Sequence, residues 1–546
     1  MTDFKNIINK ILLPLAITIA IFTGILIGKI YYTKSGILGR LIMNNKEDKL
    51  NTIFRYVENN YVDKVSADSL QEMAIASFLS NLDPHSVYLD PISAKSAAES
   101  LQGNFDGIGV QFNVFKDTIM VVKVIENGPS FFAGILDGDR IVKVNDSIVA
   151  GIKISNDSVM KLLKGQRGSI VKLSIKRRAH NDLIDINIKR GNIPLNSIDA
   201  AYTLNPYSTK KDIGYIKITS FARNTFADFF EKVSDMKESG IKSLIIDLRE
   251  NGGGYLDAAV SMIDEFFDSG RTIVVTKGKT TGKRVVKSSS SRSNFKDLKV
   301  VVLIDEYSAS ASEIFAGAIQ DNDRGFIIGR RSFGKGLVQE EVNFGDGSVL
   351  RLTVSRYYTP SGRCIQKPYK DGKEKYEADI LNRYYHGEFV NKDSIIFGDT
   401  TSFFTEFGRK VFGGGGIMPD IFIPVDTSNV SKMLSNINAK NLIYLFSLEY
   451  VDNHRQALKS IQTINILKYY MNTNLVYPQF WKYVKDNNVG TPNADLLKSK
   501  TYIENLVLAY IARQILSEDD FIEIVNSQDK VMEQAIKTIV DKKRLY

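Results

Sequence analysis

The residues with the clearest chemical potential are three serines that stand among alanines in the segment YSASASE at 307–313. Directly before them lies VVVLID, an apolar run typical of a buried strand, and ASEIFAGAIQ, which overlaps their end, is typical of a helix. A serine at such a junction has an exposed hydroxyl beside the unpaired N–H groups of a helix N-terminus, which suit a developing oxyanion. Taken alone, the segment favours a structural role, in which small residues let the helix pack closely and one serine is its N-cap.

A serine nucleophile needs a general base, and none of the histidines lies in a strand-end or glycine-rich context: His85, His180, His386 and His454. A lysine can serve instead if burial lowers the pKa of its amine from about 10.4. Lys335 is a candidate because it lies between two glycines in SFGKGLVQ at 332–339, where Phe333 and Leu337 could exclude water. A surface lysine in a glycine turn is the commoner interpretation of such a pattern.

A third segment, DLRENGGG at 247–254, ends an apolar strand in a run of glycines. Such a run presents unpaired N–H groups, which suit a phosphate or an oxyanion. The segment has neither the GKS/T sequence of a nucleotide-binding loop nor the acidic partner of a dinucleotide site. An oxyanion is therefore the preferred ligand.

Composition limits the possible classes of protein. The length of 546 residues suggests three to five folded units at roughly 100–200 residues per domain. The chain is 43% hydrophobic and 24% charged, which excludes a mostly disordered protein. Its net charge of +9 is spread along the length, so no nucleic-acid partner is expected. The single cysteine, Cys364, excludes an internal disulfide, and the few scattered histidines argue against a zinc or iron site, so we expect no metal.

The elements that must position these residues follow from hydrophobic periodicity. Apolar residues have helical spacing near both ends of the chain. Between them, a stretch of short β-branched runs is followed by a stretch in which strands and helices alternate. The predicted regions are a membrane anchor at 1–34, a helical region at 35–102, a small β-rich domain at 103–192, an α/β core at 193–426 with an irregular insertion at 367–412, and a helical extension at 427–546.

The N-terminus contains an uncharged run, ILLPLAITIAIFTGILIG, at 11–28. Eighteen such residues just suffice to cross a hydrocarbon core of about 30 Å at roughly 1.5 Å per residue. No A-x-A cleavage site follows, so an uncleaved anchor is favoured over a signal peptide. Lysines lie on both sides of the run, and the flanking charges leave its orientation open.

Several motifs, taken in order, resemble the carboxy-terminal processing (tail-specific) proteases, which are serine proteases with a Ser-Lys dyad and an embedded PDZ domain. These motifs are LDPHSVYL at 82–89, FDGIGVQF at 105–112, GPSFFAGILDGDRIVKVND at 128–146, IGYIKITSF at 213–221, DLRENGGG at 247–254, YSASASEIFAGAIQD at 307–321, FGKGLVQ at 333–339, YYTPSGRCIQ at 357–366 and GGIMPD at 415–420. The resemblance implies a multidomain α/β and α+β protein. Its protease core would be similar to enoyl hydratases and Clp proteases, with a PDZ domain at 103–192 and helical N- and C-terminal parts. NGGG departs from the family's commoner Asn-Pro-Gly-Gly, and the insertion separates the last two motifs.

The same resemblance implies roles for individual residues. Ser310 would be the nucleophile, Lys335 the general base and Gln339 the residue that holds the lysine. The backbone N–H group of Ala311, together with that of Gly253 or Gly254, would form the oxyanion hole. The residues that would act in the PDZ domain are Gly107, Ile108 and Gly109, whose backbone would receive the substrate's terminal carboxylate, and Arg167, which would sense bound peptide. Asp321 also matches a family position, and we expect it to be structural.

The activity implied is that of an endopeptidase, without a cofactor, that recognises free C-terminal tails of protein or peptide substrates and cuts upstream of them. The resemblance further implies a bacterial inner-membrane protein, single-pass through 11–28, with its catalytic part in the periplasm, or an exported protein if this segment is cleaved. A homo-oligomer or an adaptor protein stays open. Two alternative functions also stay open. The first is a catalytically inactive PDZ scaffold, but the intact Ser310, Lys335 and Gln339 argue against it. The second is an enoyl-hydratase-like enzyme, which would need a coenzyme-A site and would not explain a PDZ domain.

Overall fold

The computed structural model describes residues 18–27, 49–178, 180–204, 211–289, 293–396, 401–489 and 494–541. They form two compact units with the boundary between Leu82 and Asp83. The first unit contains a helical segment at 18–27 and the helices α1 (Lys49–Asn60) and α2 (Ala67–Ser80). Ser66 caps α2 by accepting a hydrogen bond from the Ser69 N–H group.

The expected membrane anchor at 11–28 falls only partly on the residues that the structure describes, because 11–17 and 28 lie outside them. The remaining part, 18–27, is helical. Within the described part of the chain, no helix combines the length and the apolar character that crossing a membrane requires.

The second unit begins with β1 (Val87–Leu89) and α3 (Pro91–Gln102), which lead into the β-rich domain. This domain contains β2 (Asn104–Gly107), β3 (Val110–Phe115), β4 (Thr118–Val124), α4 (Pro129–Phe132), β5 (Arg140–Val144), β6 (Ser147–Ile148), α5 (Asn156–Leu163), β7 (Ile170–Lys176), β8 (Ile184–Lys189) and β9 (Gly191–Pro194). Its sheet has the order β3-β4-β5-β7-β8, with β6 paired to β5. Alternate side chains of these strands form one apolar core with α5, as strand geometry requires.

The α/β core is a six-stranded sheet with helices on both faces. Its elements are β10 (Ile198–Leu204), β11 (Ile213–Ile218), α6 (Thr225–Glu238), β12 (Ser243–Asp247), α7 (Leu256–Asp264), β15 (Lys299–Ile304), α8 (Ala311–Asp321), β16 (Gly325–Gly329) and β21 (Ile421–Phe422). The strand order is β10-β11-β12-β15-β16-β21, and all neighbours except β10 and β11 are parallel. The central strands are near-continuous apolar runs because both faces of a parallel sheet are covered.

A second sheet lies beside this core and carries the lysine segment. It is built from β1, β13 (Thr272–Gly278), β14 (Gly282–Lys287), β17 (Leu337–Asn343) and β18 (Val349–Tyr358), with β18 paired to β1, β13 and β17. The insertion at 367–412 is not irregular throughout. It contains α9 (Lys373–Glu377), α10 (Asp379–Tyr385), a 3₁₀ turn at Lys392–Ser394 and a hairpin of β19 (Ser402–Phe404) and β20 (Lys410–Phe412).

The C-terminal part is helical, as expected. It contains α11 (Lys432–Ala439), α12 (Leu442–Leu458), α13 (Ile464–Thr473), α14 (Val476–Asp486), α15 (Ala494–Ile515), α16 (Glu518–Asn526) and α17 (Lys530–Asp541). The helices α11 to α16 share a core of their own and are called the helical module below. The last helix differs, because its residues Met532 and Ile536 pack on the six-stranded sheet with Tyr215 and Ile245. This helix therefore covers the sheet face opposite α6, α7 and α8.

The mixed α/β architecture, the PDZ-like domain and the helical C-terminal part agree with the expectations from sequence.

Candidate active site

Ser310 lies at the predicted junction, between β15 and the first turn of α8. Its backbone φ is +57°, a left-handed value that is unusual for a residue with a side chain and often marks functional sites. The residue is half-buried, and the adjacent Ala311 begins the helix. The hydroxyl thus stands at a helix N-terminus, where the helix dipole favours negative charge.

Glu313 joins the serine segment to the lysine segment. The fully buried carboxylate accepts hydrogen bonds from the N–H groups of Ser310 (2.9 Å) and Lys335 (2.8 Å) through one oxygen. Through the other oxygen it accepts from the Ser332 hydroxyl (2.6 Å) and the Gly334 N–H group (2.7 Å). Burial raises the pKa of Glu313 to about 7, while these hydrogen bonds oppose the rise. Sequence reasoning assigned Glu313 no role, although its spacing from Ser310 is that of a capping box.

Tyr357 makes a second bridge between the same two residues. Its hydroxyl lies 2.5 Å from the carbonyl oxygen of Lys335 and 3.2 Å from that of Ser310. Burial raises the pKa of Tyr357 well above its usual value, so the hydroxyl keeps its proton and donates it. Glu313 therefore holds the N–H groups of Ser310 and Lys335, and Tyr357 shares its single proton between their carbonyl oxygens, with the shorter contact to Lys335.

Lys335 lies half-buried in the loop between β16 and β17. Burial lowers the pKa of its amine from the usual value, and the charge of Arg351 adds to this effect. The charges of Glu313 and Asp83 oppose it but do not cancel it. A lysine in this environment loses its proton more readily than one in water, which a general base requires.

Gln339 is expected to hold the lysine, and the structure gives its amide another partner. Its Nε2 group donates to the Thr353 hydroxyl at 3.2 Å, and Thr353 donates to Asp83 at 3.0 Å. The pairing of β17 with β18 shifts register between Val338 and Gln339, so the strand is irregular at this point. The role of Gln339 stays a prediction.

The glycine segment lies directly against the serine. Gly253 has a φ of +102°, and a Cβ atom there would lie 2.8 Å from the Ser310 Cβ atom and 3.0 Å from the Ala311 nitrogen. Its own N–H group donates to the side chain of Asn251 at 2.8 Å. The N–H groups of Ala311 and Gly254 have no hydrogen-bond partner within the described ranges. Among the expected donors, the geometry thus favours Ala311 and Gly254 for an oxyanion.

The insertion at 367–412 supports the lysine loop. The buried Arg383 donates to the carbonyl groups of Arg331 (2.7 Å) and Ser332 (3.0 Å), and its charge is balanced by Glu388. These carbonyls lie directly before the lysine loop. The insertion is therefore part of the site, a role that its polar sequence did not reveal.

A cluster of titratable groups borders the lysine. The His85 imidazole lies 2.8 Å from the Tyr376 hydroxyl, and Lys367 lies over the rings of Phe333 and Tyr376. Burial, followed by the charge of Lys335, lowers the pKa of His85 to about 4. His85 is therefore neutral at physiological pH and adds no charge beside the lysine.

In the β-rich domain, a groove of about 490 Å³ runs between β3 and α5. Its lining includes all three residues expected to bind a carboxylate, and its apolar side chains are Phe105, Ile108, Val110, Phe112, Met160 and Leu163. The N–H groups of Ile108 and Gly109 have no partner among the described residues. Arg167 lies exposed in the turn before β7 and is not among the lining residues.

Family models match three parts of the chain. Residues 212–375 match peptidase family S41, residues 107–188 match the PDZ domain, and residues 433–517 match a family of unknown function. The first two matches coincide with the core that holds Ser310 and Lys335 and with the domain that holds the groove. The third lies within the helical module.

Curated proteins with similar sequences carry related names. The carboxy-terminal processing protease CtpA of Bacillus subtilis is 35% identical over 77% of this chain and 91% of its own length. The carboxy-terminal-processing protease of Bartonella bacilliformis is 37% identical over 58% of this chain and 71% of its own. Among solved structures, a photosystem II D1 C-terminal processing protease is 26% identical, with a TM-score of 0.34, over 69% of this chain and 92% of that one. This chain is therefore a serine-type peptidase that belongs to the carboxy-terminal processing proteases of peptidase family S41.

Proposed function

We propose that the protein is an endopeptidase in which Ser310 is the nucleophile and Lys335 the general base. The observation that carries this proposal is the double bridge between the two residues, through Glu313 and Tyr357, which fixes both backbones. The lowered pKa of the Lys335 amine supports its role as a base.

In this mechanism the neutral Lys335 amine takes the proton of the Ser310 hydroxyl as the oxygen attacks the substrate carbonyl. The resulting oxyanion accepts hydrogen bonds from the N–H groups of Ala311 and Gly254, which have no other partner within the described ranges. The lysine ammonium then gives its proton to the leaving amine. In the second half, Lys335 takes a proton from water as the water attacks the acyl-enzyme, and it returns the proton to the Ser310 oxygen as the bond to the acyl group breaks and the carboxylate product leaves.

We further propose that the PDZ groove selects substrates by their C-terminal tails. A tail would add as a strand to the free edge of β3, with its carboxylate on the N–H groups of Ile108 and Gly109. The apolar lining of the groove favours an apolar last side chain. Gly109 has a φ of +77°, so a larger residue would be strained where the carboxylate must approach.

The test uses an unfolded protein that ends in apolar residues and a free carboxylate. The wild-type chain should cut it, and Ser310→Ala should not, while the variant should still bind the tail. Residual cleavage by Ser310→Ala at the same bonds would remove Ser310 from its role. An inactive scaffold, the alternative function, would bind the tail without cutting in either form.

A further inference from the structure

Among the described residues, the hydrogen bonds and ion pairs between the helical module and the PDZ domain are made by α12, which lies against the PDZ sheet. Asn113 on β3 donates to the Tyr444 hydroxyl at 3.1 Å, and Arg140 on β5 pairs with Asp452 at 2.7 Å. Lys116, directly after β3, pairs with Glu449 at 2.7 Å. All three partners on the module lie within the same helix.

The strand register shows which face of the PDZ sheet is involved. Asn113 is paired with Met120, and Met120 is paired with Arg140, so the three form one row across β3, β4 and β5. Their neighbours Ile119 and Ile141 point into the PDZ core. Because side chains alternate along a strand, the row lies on the opposite face of the sheet.

The partners on α12 are equally regular. Tyr444 and Asp452 are eight residues apart, and Leu448 lies midway between them, so all three share one face of the helix. Leu448 and Met120 are each only 1% exposed, yet neither belongs to the apolar core of its own domain. Met120 lies between Asn113 and Arg140 on the sheet, and Leu448 lies between their partners Tyr444 and Asp452 on the helix. Met120 is therefore placed opposite Leu448.

This arrangement is that of a small docking interface, with an apolar centre and polar contacts around it. The module in turn is fixed to the protease core. Asp519 accepts from the Ala201 N–H group at 2.9 Å, and Asn526 donates to the Tyr202 hydroxyl at 2.8 Å. Besides its chain connections, the PDZ domain is therefore held by α12 on its sheet and by the ion pair of Lys164 with Glu99 of α3, at 2.8 Å.

The docked position leaves the groove accessible. Every lining residue of the groove belongs to the PDZ domain itself, between Phe105 and Lys164, and none to the module. The contact row, formed by Asn113, Met120 and Arg140, lies on a face of the sheet, whereas a tail would add at the edge of β3. A tail can therefore bind while the domain stays docked.

We propose that the helical module, through the Met120–Leu448 contact, sets the distance between the tail-binding groove and Ser310. This inference rests on the proposed function. With both sites fixed in one body, the number of residues between the substrate's C-terminus and the cut bond is constant. The module thus determines where a substrate is cut, counted from its end.

The experiment uses the full chain and a substrate whose upstream region is a repeated permissive segment, so that local sequence does not choose the bond. Products are identified by mass spectrometry. The wild type should give one dominant product, and lengthening the repeat should leave the cut at the same count from the C-terminus. Leu448→Glu and Met120→Glu, which place a charge in the apolar contact, should spread the cuts over several neighbouring bonds. Tail-peptide affinity, measured in a Ser310→Ala background, should be unchanged.

Ile148→Glu is the matched control, because Ile148 is a PDZ residue that is 60% exposed and lies on β6, outside the contact row. It should cut as the wild type does. If a charge variant loses tail binding through misfolding, Lys116→Ala with Arg140→Ala replaces it and must spread the cuts. A single unchanged product from undocked variants that still bind tails would overturn the proposal, as would scattered products from the wild type. Equal cleavage of an amidated substrate would instead refute tail recognition itself.

Discussion

The proposed catalytic residues are held by their backbones. Ser310 and Lys335 come from separate loops, and two buried side chains, Glu313 and Tyr357, contact the main chain of both. Such bridges fix the relative positions of nucleophile and base while leaving the serine hydroxyl and the lysine amine for chemistry. They also predict which substitutions should lower turnover without affecting substrate binding.

Tyr357→Phe should lower kcat and leave KM unchanged, because the ring still fills its buried site but the hydrogen bond to the catalytic backbone is lost. A hydrogen bond contributes about 0.5–1.5 kcal/mol, which corresponds to a loss of up to about tenfold in rate. Steady-state kinetics on a tailed substrate measure the effect. Tyr358→Phe is the control, since the neighbouring ring lies under Lys277 and not between the catalytic residues. Equal losses in both variants would contradict a specific bridge.

Lys335→Arg should abolish cleavage, because a guanidinium keeps its charge at any accessible pH. In the wild type, kcat/KM should rise with pH as the amine loses its proton. The midpoint should lie below that of a free lysine, since burial lowers this pKa. Lys296→Arg, at an exposed lysine, should behave as the wild type. A pH profile that follows histidine, and disappears when all four histidines are replaced, would exclude Lys335 as the base.

At the scale of elements, the site depends on a buried carboxylate and on a helix far along the chain. Glu313 connects α8 to the loop before β17, and α17 closes the open face of the protease sheet. Removing either contact should therefore lower the free energy of unfolding.

Stability should fall as the pH rises from about 4.5 to about 7, because the pKa of Glu313 is raised on folding and the folded state keeps this proton longer than the unfolded state. Glu313→Gln removes this contribution to the pH dependence. The substitution should also lower the free energy of unfolding by about 1–3 kcal/mol, because the NH₂ group of the new glutamine side chain would face N–H donors. Urea titrations of both forms across this pH range measure the difference. An identical pH dependence in the variant would assign the effect to other groups.

Met532→Ala should lower the free energy of unfolding by about 2–5 kcal/mol, since this buried side chain of α17 packs on the sheet. Val540→Ala, at an exposed position of the same helix, is the control and should change little. Thermal or urea unfolding distinguishes them. A small effect of Met532→Ala would mean that α17 is not part of the folded core.

Much of this organisation is predictable from the sequence. The strand-to-helix junction at Ser310 and the glycine segment beside it follow from local patterns, because apolar runs and glycines have strong local preferences. The bridges by Glu313 and Tyr357, the packing of α17 and the support from Arg383 are not predictable in this way. Each of them joins residues from separate segments, and a single sequence does not indicate such contacts.

At the scale of the molecule, we propose from the uncharged run at 11–28 that the chain is anchored in the inner membrane with its bulk in the periplasm. Protease added to intact spheroplasts should then digest the part that follows the anchor, while a cytoplasmic marker protein survives. Digestion only after lysis would place the catalytic part on the other side.

The central claim is that this peptidase recognises a free C-terminus and cuts with Ser310. The most direct measurement compares kcat/KM for two substrates that are identical except that one ends in a carboxylate and the other in an amide. The amide lacks the charge that the N–H groups of Ile108 and Gly109 would accept, so its kcat/KM should be much lower. Neither substrate should be cut by Ser310→Ala. Equal kcat/KM values for the two substrates would contradict the account.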